Sequence, residues 1–211
     1  MNVSEPQPTT SGNRVLVLFA HPALEKSRVN HVLMRGVRDL PGVTVHDLYE
    51  EYPEQDIDVL REQELLLEHD VIVFQHPFFW YSTPAILKEW QDLVLQHGWA
   101  YGSGGTALHG KTMLNAITTG GREVAYSREG HNRFTIRELL APIEQTARLC
   151  GMEYLSPFVV HGTLGMRPEE AARHAADWRR TVEALRDGRV DLERAAAVSR
   201  LNADLDAVVQ D

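Results

Sequence analysis

"GTALHGKT", Gly105–Thr112, matches the phosphate-binding pattern G-x-x-x-x-G-K-[ST] letter for letter, and its reading decides the fold. In a true loop of this kind a strand runs into the glycines and a helix opens after them, so that backbone N–H groups and the helix N-terminus surround the phosphates. Here the flanks are reversed. Before Gly105 stands "GWAYGSG" (Gly98–Gly104), which is loop; after Lys111 stands "MLNAIT" (Met113–Thr118), a short apolar run ended by Thr-Thr-Gly-Gly, which reads as a strand. The match is coincidental. A glycine-rich loop leads into a strand, Lys111 caps the entrance to the sheet, and nucleotide triphosphate chemistry is set aside.

Working outward, the same strand logic recurs. "VLVLFAHP" (Val15–Pro22) and "DVIVFQHP" (Asp70–Pro77) are too short and too uniformly apolar for anything but strands buried on both faces, and both end in His-Pro. "GVTVHDL" (Gly42–Leu48) and "EYLSPFVVHGT" (Glu153–Thr163) supply two more strands. Between them lie helical patterns. In "SRVNHVLMRGVRDL" (Ser27–Leu40), Val29, Val32, Leu33, Val37 and Leu40 recur at helical spacing behind Ser27 as a cap. "TPAILKEWQDLVLQHG" (Thr83–Gly98) has Thr83 as cap, Pro84 at the first helical position and Gly98 as terminator. A weaker helix signal covers Asp56–Glu68, a helix is expected near Ile136–Leu149, and a last one opens at Pro168 with two glutamates in its first turn.

Strand and helix alternating in this way imply a parallel sheet covered on both faces, because parallel neighbours need crossover connections. Five strands at this spacing predict an α/β, flavodoxin-like fold: a doubly wound parallel sheet with helices on both faces. Its domain spans residues 14–187. Residues 1–13, "MNVSEPQPTTSGN", read as a loose tail without the basic start or apolar core of a signal peptide. Residues 188–211 read as a helical extension with Leu192, Val198, Leu201, Leu205 and Val208 roughly on one face, free to pack on the body, join an oligomer interface or fray.

Composition narrows the function classes. With 43% hydrophobic and 24% charged residues among 211, the chain is an ordinary globular one. A net charge of −9 argues against nucleic acid, which needs clustered Lys and Arg. Cys150 is the one cysteine, so no internal disulfide forms and a reducing, cytoplasmic home is expected. No apolar run approaches the roughly 18 residues of a membrane span. Ten histidines form no H-E-x-x-H motif or Cys/His cluster, so no metal is expected.

Ligands of doubly wound sheets bind outside the carboxyl ends of the strands. The loops there are "AHPALEKSRVN" after the first strand, "HPFFWYSTP" after the third and "TTGGREVAYSREGHN" after the fourth. Ser27 and the amides of the first helix suit a phosphate. Phe78, Phe79, Trp80 and Tyr81 suit a planar ring, and Thr118, Thr119, Gly120 and Gly121 let backbone approach it. Together they describe a pocket for a flat phosphorylated ligand such as FMN. Taken singly, each has an ordinary reading: Ser27 as a cap, Phe78 and Trp80 as core, Gly120–Gly121 as a turn.

"AHP" with its downstream Ser-x-x-Asn, "HPFFWYSTPAILKEW", "HGWAYGSGGTALHGK" and "TTGG" resemble the flavodoxin-like NAD(P)H:quinone oxidoreductase family, and within it the ancillary subunits of bacterial glutathione-gated potassium-efflux antiporters. The resemblance covers Arg14 to Leu185. It implies FMN, rather than FAD, held by His21, Ser27, Arg28, Val29, Asn30, Phe78, Phe79, Trp80, Tyr81, Thr118, Thr119, Gly120 and Gly121. It further implies Tyr101 in a substrate pocket, and Tyr126 and His131 as catalytic donors. His131 lies one residue short of the family spacing, and Phe79 stands where many members carry glutamine.

What the resemblance implies for function is a two-electron relay of hydride from NAD(P)H through flavin to a quinone, in a homodimer. Two rivals remain. One is a regulatory module that docks on a potassium antiporter at the inner face of the membrane, with incidental redox activity; the other is a one-electron carrier. The linear sequence shows no arginine cluster of the kind that reads the 2′-phosphate of NADPH.

Overall fold

The structure, a computed structural model, describes residues 12–210. In chain order the elements are β1 (Val15–Phe19), α1 (Asn30–Val37), β2 (Val43–Asp47), α2 (Leu48–Glu51), α3 (Val59–Glu68), β3 (Val71–Pro77), α4 (Ala85–Val94) and β4 (Thr112–Thr118). They continue with α5 (Ile136–Leu139), α6 (Ala141–Leu149), β5 (Glu153–Tyr154), β6 (Phe158–Val160), α7 (Pro168–Arg186), α8 (Leu192–Ala197) and α9 (Leu205–Val208). All pairings between these strands are parallel and run β2-β1-β3-β4-β5, with β6 also on β4.

The five-stranded doubly wound sheet read from the sequence is present, its fifth position shared by β5 and β6. Three steps along β4, Met113 to Ala116, match four from Tyr154 to Phe158, so the fifth strand carries one extra residue and breaks there. The cause is local. Pro157 has no N–H for the ladder, and the Ser156 N–H turns away to the Ala195 carbonyl at 3.0 Å.

Strand alternation divides the core between the two faces. Leu16, Leu18, Ile72, Phe74, Met113 and Ile117 pack under α3, α4 and α6 through Leu66, Ile86, Trp90 and Ile143. Val15, Val17, Val71, Val73, Leu114 and Ala116 pack under α1 and α7 through Leu33, Val37, Trp178 and Val182. Cys150 is buried in the first of these layers, and burial pushes its thiol pKa up.

Helix boundaries moved where proline chemistry intervened. Pro84 occupies the N-cap of α4 with extended backbone (ψ 152°), and no side chain caps it, so Thr83 is not a cap. Gly98 lies beyond the helix end, φ +82°, its N–H donating to the Tyr101 carbonyl at 2.7 Å. The helix expected near Ile136–Leu149 is two helices joined at Leu140, because Pro142 cannot donate a helical hydrogen bond.

Residues 1–11 of the expected loose tail lie outside the described residues. Asn13, at its end, caps α7: its N–H donates to the Arg186 carbonyl and its Nδ2 to the Leu185 carbonyl at 2.8 Å. The C-terminal segment packs on the α7 face, burying Leu201, Leu205 and Val208, and Val190 bridges Val209 antiparallel.

The phosphate-loop lookalike sits at the amino end of β4. A Cβ on Gly105 would stand 2.2 Å from the Tyr101 carbonyl oxygen, and Gly110 has φ +78°, so both glycines answer to backbone geometry. Lys111 Nζ donates to the carbonyls of His69 at 2.6 Å and Leu67 at 3.2 Å. Its ammonium caps the end of α3 and the entrance to the sheet.

Candidate functional site

The carboxyl ends of β1, β3 and β4 open into a cleft of about 490 Å³. It lies where the strand order reverses between β1 and β3, the place where doubly wound sheets bind ligands. Its wall after β1 is His21 and the start of α1. The Ala23 N–H donates to His21 Nδ1 at 3.2 Å, which leaves the ring proton on Nε2. Burial lowers the His21 pKa, opposed in part by the Glu25 charge, so the neutral ring dominates. Ser27 Oγ accepts the Asn30 N–H at 3.1 Å, although α1 itself starts at Asn30 with Val29 in the cap position.

Asn30 is the most telling residue of this wall. It is 3% exposed, and its Nδ2 donates to Thr118 Oγ1 at 2.8 Å. Its Oδ1 is buried without a hydrogen-bond partner among the described residues. A buried acceptor left unpaired costs on the order of 1–3 kcal/mol, a deficit that a donor entering the cleft would make good.

The opposite wall begins at the end of β3. The Phe78 N–H donates to the Thr118 carbonyl at 2.8 Å and the Phe79 N–H to the Pro77 carbonyl at 3.0 Å. Fully buried His76 braces this turn. Tyr154 OH donates to Asn115 Oδ1 at 2.7 Å, Asn115 Nδ2 donates to His76 Nε2 at 3.1 Å, and His76 Nδ1–H therefore donates to the Pro77 carbonyl at 3.0 Å. Burial lowers the His76 pKa to about 4, which keeps that tautomer neutral. Beyond Phe79 the backbone enters the left-handed region at two residues that resist it, Trp80 (φ +50°) and Tyr81 (φ +63°). The Trp80 side chain is 93% exposed.

The third wall is the loop after β4. Thr119 Oγ1 donates to the Gly121 carbonyl at 2.8 Å and meets His161 Nδ1 at 3.1 Å. A Cβ on Gly120 would stand 3.2 Å from the Leu164 side chain, and one on Gly121 would stand 3.2 Å from the Tyr126 ring. These glycines let Leu164 and Tyr126 close on the loop. Tyr126 packs against His161 with centroids 5.5 Å apart, and burial raises its phenol pKa. Burial likewise lowers the His161 pKa, to about 4.

The cleft thus gathers His21, Ser27, Arg28, Val29, Asn30, Phe78, Phe79, Thr118 and Gly120 from the sequence reading. Trp80, Tyr81, Thr119, Gly121 and Tyr126 stand beside it on the same loops. Tyr81 OH donates to Asn132 Oδ1 at 3.2 Å, whereas His131 is exposed and bonds to no other described residue. Tyr101 lines no part of the cleft; its ring meets His97 edge-on at 5.5 Å. Sequence reasoning missed Thr163 and Leu164, which close the cleft, and Asn132. Applying the strand-end rule to the loop after the fifth strand finds the first two.

A parallel sheet in the order β2-β1-β3-β4-β5, with a ligand cleft at its switch point, defines the doubly wound class. The chain belongs to the Flavodoxin_2 family, of flavodoxin-like fold, whose model matches residues 13–182. It is 49% identical over 170 residues to the glutathione-regulated potassium-efflux system ancillary protein KefG of Serratia proteamaculans, covering 79% of this chain and 93% of the relative. Among solved structures, general stress protein 14 of Treponema denticola, in complex with FMN, superposes with a TM-score of 0.79 at 38% identity, covering 82% of this chain and 99% of that one. An NADPH-quinone reductase from P. pentosaceus superposes with a TM-score of 0.73 at 33% identity, covering 80% and 96%.

Proposed function

We propose that this chain is an FMN-dependent NAD(P)H:quinone oxidoreductase. The observation that carries the reading is the unpaired, buried Oδ1 of Asn30 in a cleft at the switch point of the sheet. An acceptor there fits the hydroxyls of a ribityl chain, while the N-terminal amides of α1 beside Ser27 fit its phosphate. FMN in the Treponema relative and the reductase named from P. pentosaceus support the assignment. When bound, FMN supplies a two-electron hydride acceptor and donor that links NAD(P)H oxidation to quinone reduction.

The residues of the chain do the rest. His21, Phe78 and Phe79 exclude water from one side of the cleft, and the His76–Asn115–Tyr154 chain holds the turn that carries them. Trp80, Tyr81, Thr119 and Gly121 complete the binding surface. Tyr126 keeps its proton, since burial raises its pKa, and donates a hydrogen bond to charge developing at the ring edge. His131 and Tyr101, neither of which lines the cleft, are assigned to the substrate through the likeness to the family alone. Residues 14–187 form the oxidoreductase domain and 188–211 its helical extension. The chain works as a homodimer, in which a second copy covers apolar side chains exposed at the mouth, Trp80 and Leu164 among them.

The test is anaerobic: record the visible spectrum after incubation with FMN, add NADPH or NADH, then admit a quinone. Bands that bleach with nicotinamide and return with quinone are expected. A chain that takes up neither FMN nor FAD sinks the reading.

The likeness to KefG supports a second role, an ancillary module on a potassium-efflux antiporter. No helix among the described residues is long and apolar enough to cross a membrane, so that role needs a membrane partner. Co-purification with an antiporter tests it.

A further inference from the structure

The loops that close the cleft, 120–122 and 161–166, also close a second concavity of about 730 Å³. Leu164 and Gly120 face the cleft, while Arg122, His161 and Gly165 line the second space with Arg167, Arg173 and His174 from the start of α7. Three arginines meet one carboxylate there, Glu170, which Arg167 already binds at 3.0 Å. Arg122 and Arg173 form no ion pair or side-chain hydrogen bond among the described residues. His174 Nδ1 is buried and has no hydrogen-bond partner among the described residues.

In a chain of net charge −9, this wall carries +2, from three arginines less one glutamate. Burial lowers the pKa of His161 and His174, and the charges of Arg173 and Arg200 lower His174 further, so both rings are neutral. What remains is two free guanidinium forks in a concave site, with a spare imidazole nitrogen. Guanidinium groups bind phosphate through paired N–H donors, and a doubly charged phosphomonoester matches the two spare charges.

We infer that this concavity takes the 2′-phosphate of NADPH and makes the protein NADPH-selective. The inference rests on the oxidoreductase reading above. NADPH and NADH differ only in that group, and the site is lined by other residues of the same two loops that close the cleft in which the nicotinamide would react. The arginines come together in space from positions 122, 167 and 173, which is why no cluster is visible in the linear sequence.

The experiment uses the flavin-loaded protein and the variants Arg122→Ala and Arg173→Ala, both at exposed positions. Calorimetric titration with 2′,5′-ADP, 5′-ADP and inorganic phosphate reads the site without turnover, and anaerobic flavin bleaching reads the constants for NADPH and NADH. Expected are tighter binding of 2′,5′-ADP than of 5′-ADP, and a loss of about tenfold in NADPH affinity per variant with NADH unchanged, the scale of one charge-assisted hydrogen bond. If both nucleotides bleach the flavin and the variants leave their ratio unaltered, the inference is overturned while the oxidoreductase reading stands. Arginine-dependent binding of inorganic phosphate without discrimination between the two adenosine diphosphates overturns it too, and marks a site for free phosphate. If neither nucleotide bleaches the flavin, the oxidoreductase reading falls and the adenosine diphosphate titration alone decides the pocket.

Discussion

Asn30 donates from Nδ2 to Thr118 Oγ1 at 2.8 Å, joining the first turn of α1 to the last residue of β4 across 88 residues of sequence. This bond fixes the orientation of the amide and leaves Oδ1 buried with no partner among the described residues. Thr118→Val keeps the shape and removes the acceptor, so a buried N–H loses its partner and folding should weaken by about 1–3 kcal/mol. Flavin affinity should fall as well, because the amide is then free to turn. Urea unfolding of the apoprotein and fluorescence titration with FMN check the two effects; an unchanged dissociation constant would separate Asn30 from cofactor binding.

Tyr126 and His131 differ in how ready they are to act. Tyr126 is half-buried against Gly121 and His161, while His131 is exposed. Removing a preorganised donor costs on the order of a hundredfold in rate, about 3 kcal/mol. Tyr126→Phe should therefore slow flavin reduction by about that factor. His131→Gln should cost less, since its ring must first be ordered by substrate. Stopped-flow bleaching with NADPH measures both, and full rates in both variants remove these residues from the mechanism.

The alternation of strand and helix, and most of the residues that line the cleft, were legible because both are written in local patterns. Val15–Phe19 and Val71–Pro77 are buried on both faces, and the loops after them carry the Ser, Asn and aromatic residues that line the cleft. What escaped depends on contacts between distant residues. The break at Pro157 follows from the Ser156–Ala195 hydrogen bond, the orphaned Asn30 Oδ1 from a partner on β4, and the arginine wall from the meeting of two loops with α7. Tyr101 and His131 came from family resemblance alone, and neither lines the cleft.

Trp80 combines two unfavourable states, φ +50° and 93% exposure of an indole. A left-handed conformation costs an L-residue roughly 1–2 kcal/mol, and asparagine tolerates it best among side-chain-bearing residues. Trp80→Asn should raise stability by about 1 kcal/mol and lower turnover or dimerisation, the usual trade at a functional site. Thermal unfolding, steady-state assay and sedimentation together test this; a stabilised variant with full activity and unchanged mass would leave the strain without a functional reason.

Glu62 is completely buried and accepts hydrogen bonds from His46 Nε2 at 2.7 Å, Tyr52 OH at 2.6 Å and Trp90 Nε1 at 2.7 Å. Burial alone would raise its pKa, but the bonds from His46, Tyr52 and Trp90 outweigh burial and hold it below the ordinary carboxylate value of 4.5. A carboxylate whose pKa is depressed by folding adds stability that is fully present above its unfolded pKa and is lost as pH falls through the folded one. The window is therefore acid, below about pH 4.5. Glu62→Gln should destabilise the protein by about 1–3 kcal/mol at neutral pH, because one donor then faces an amide N–H. The gap between wild type and variant should narrow as pH drops through the acid range, since protonation removes the same charge from wild type. Urea midpoints at pH 7 and across the acid limb measure it. A gap that stays constant over that range would show that Glu62 contributes through packing and not through its charge.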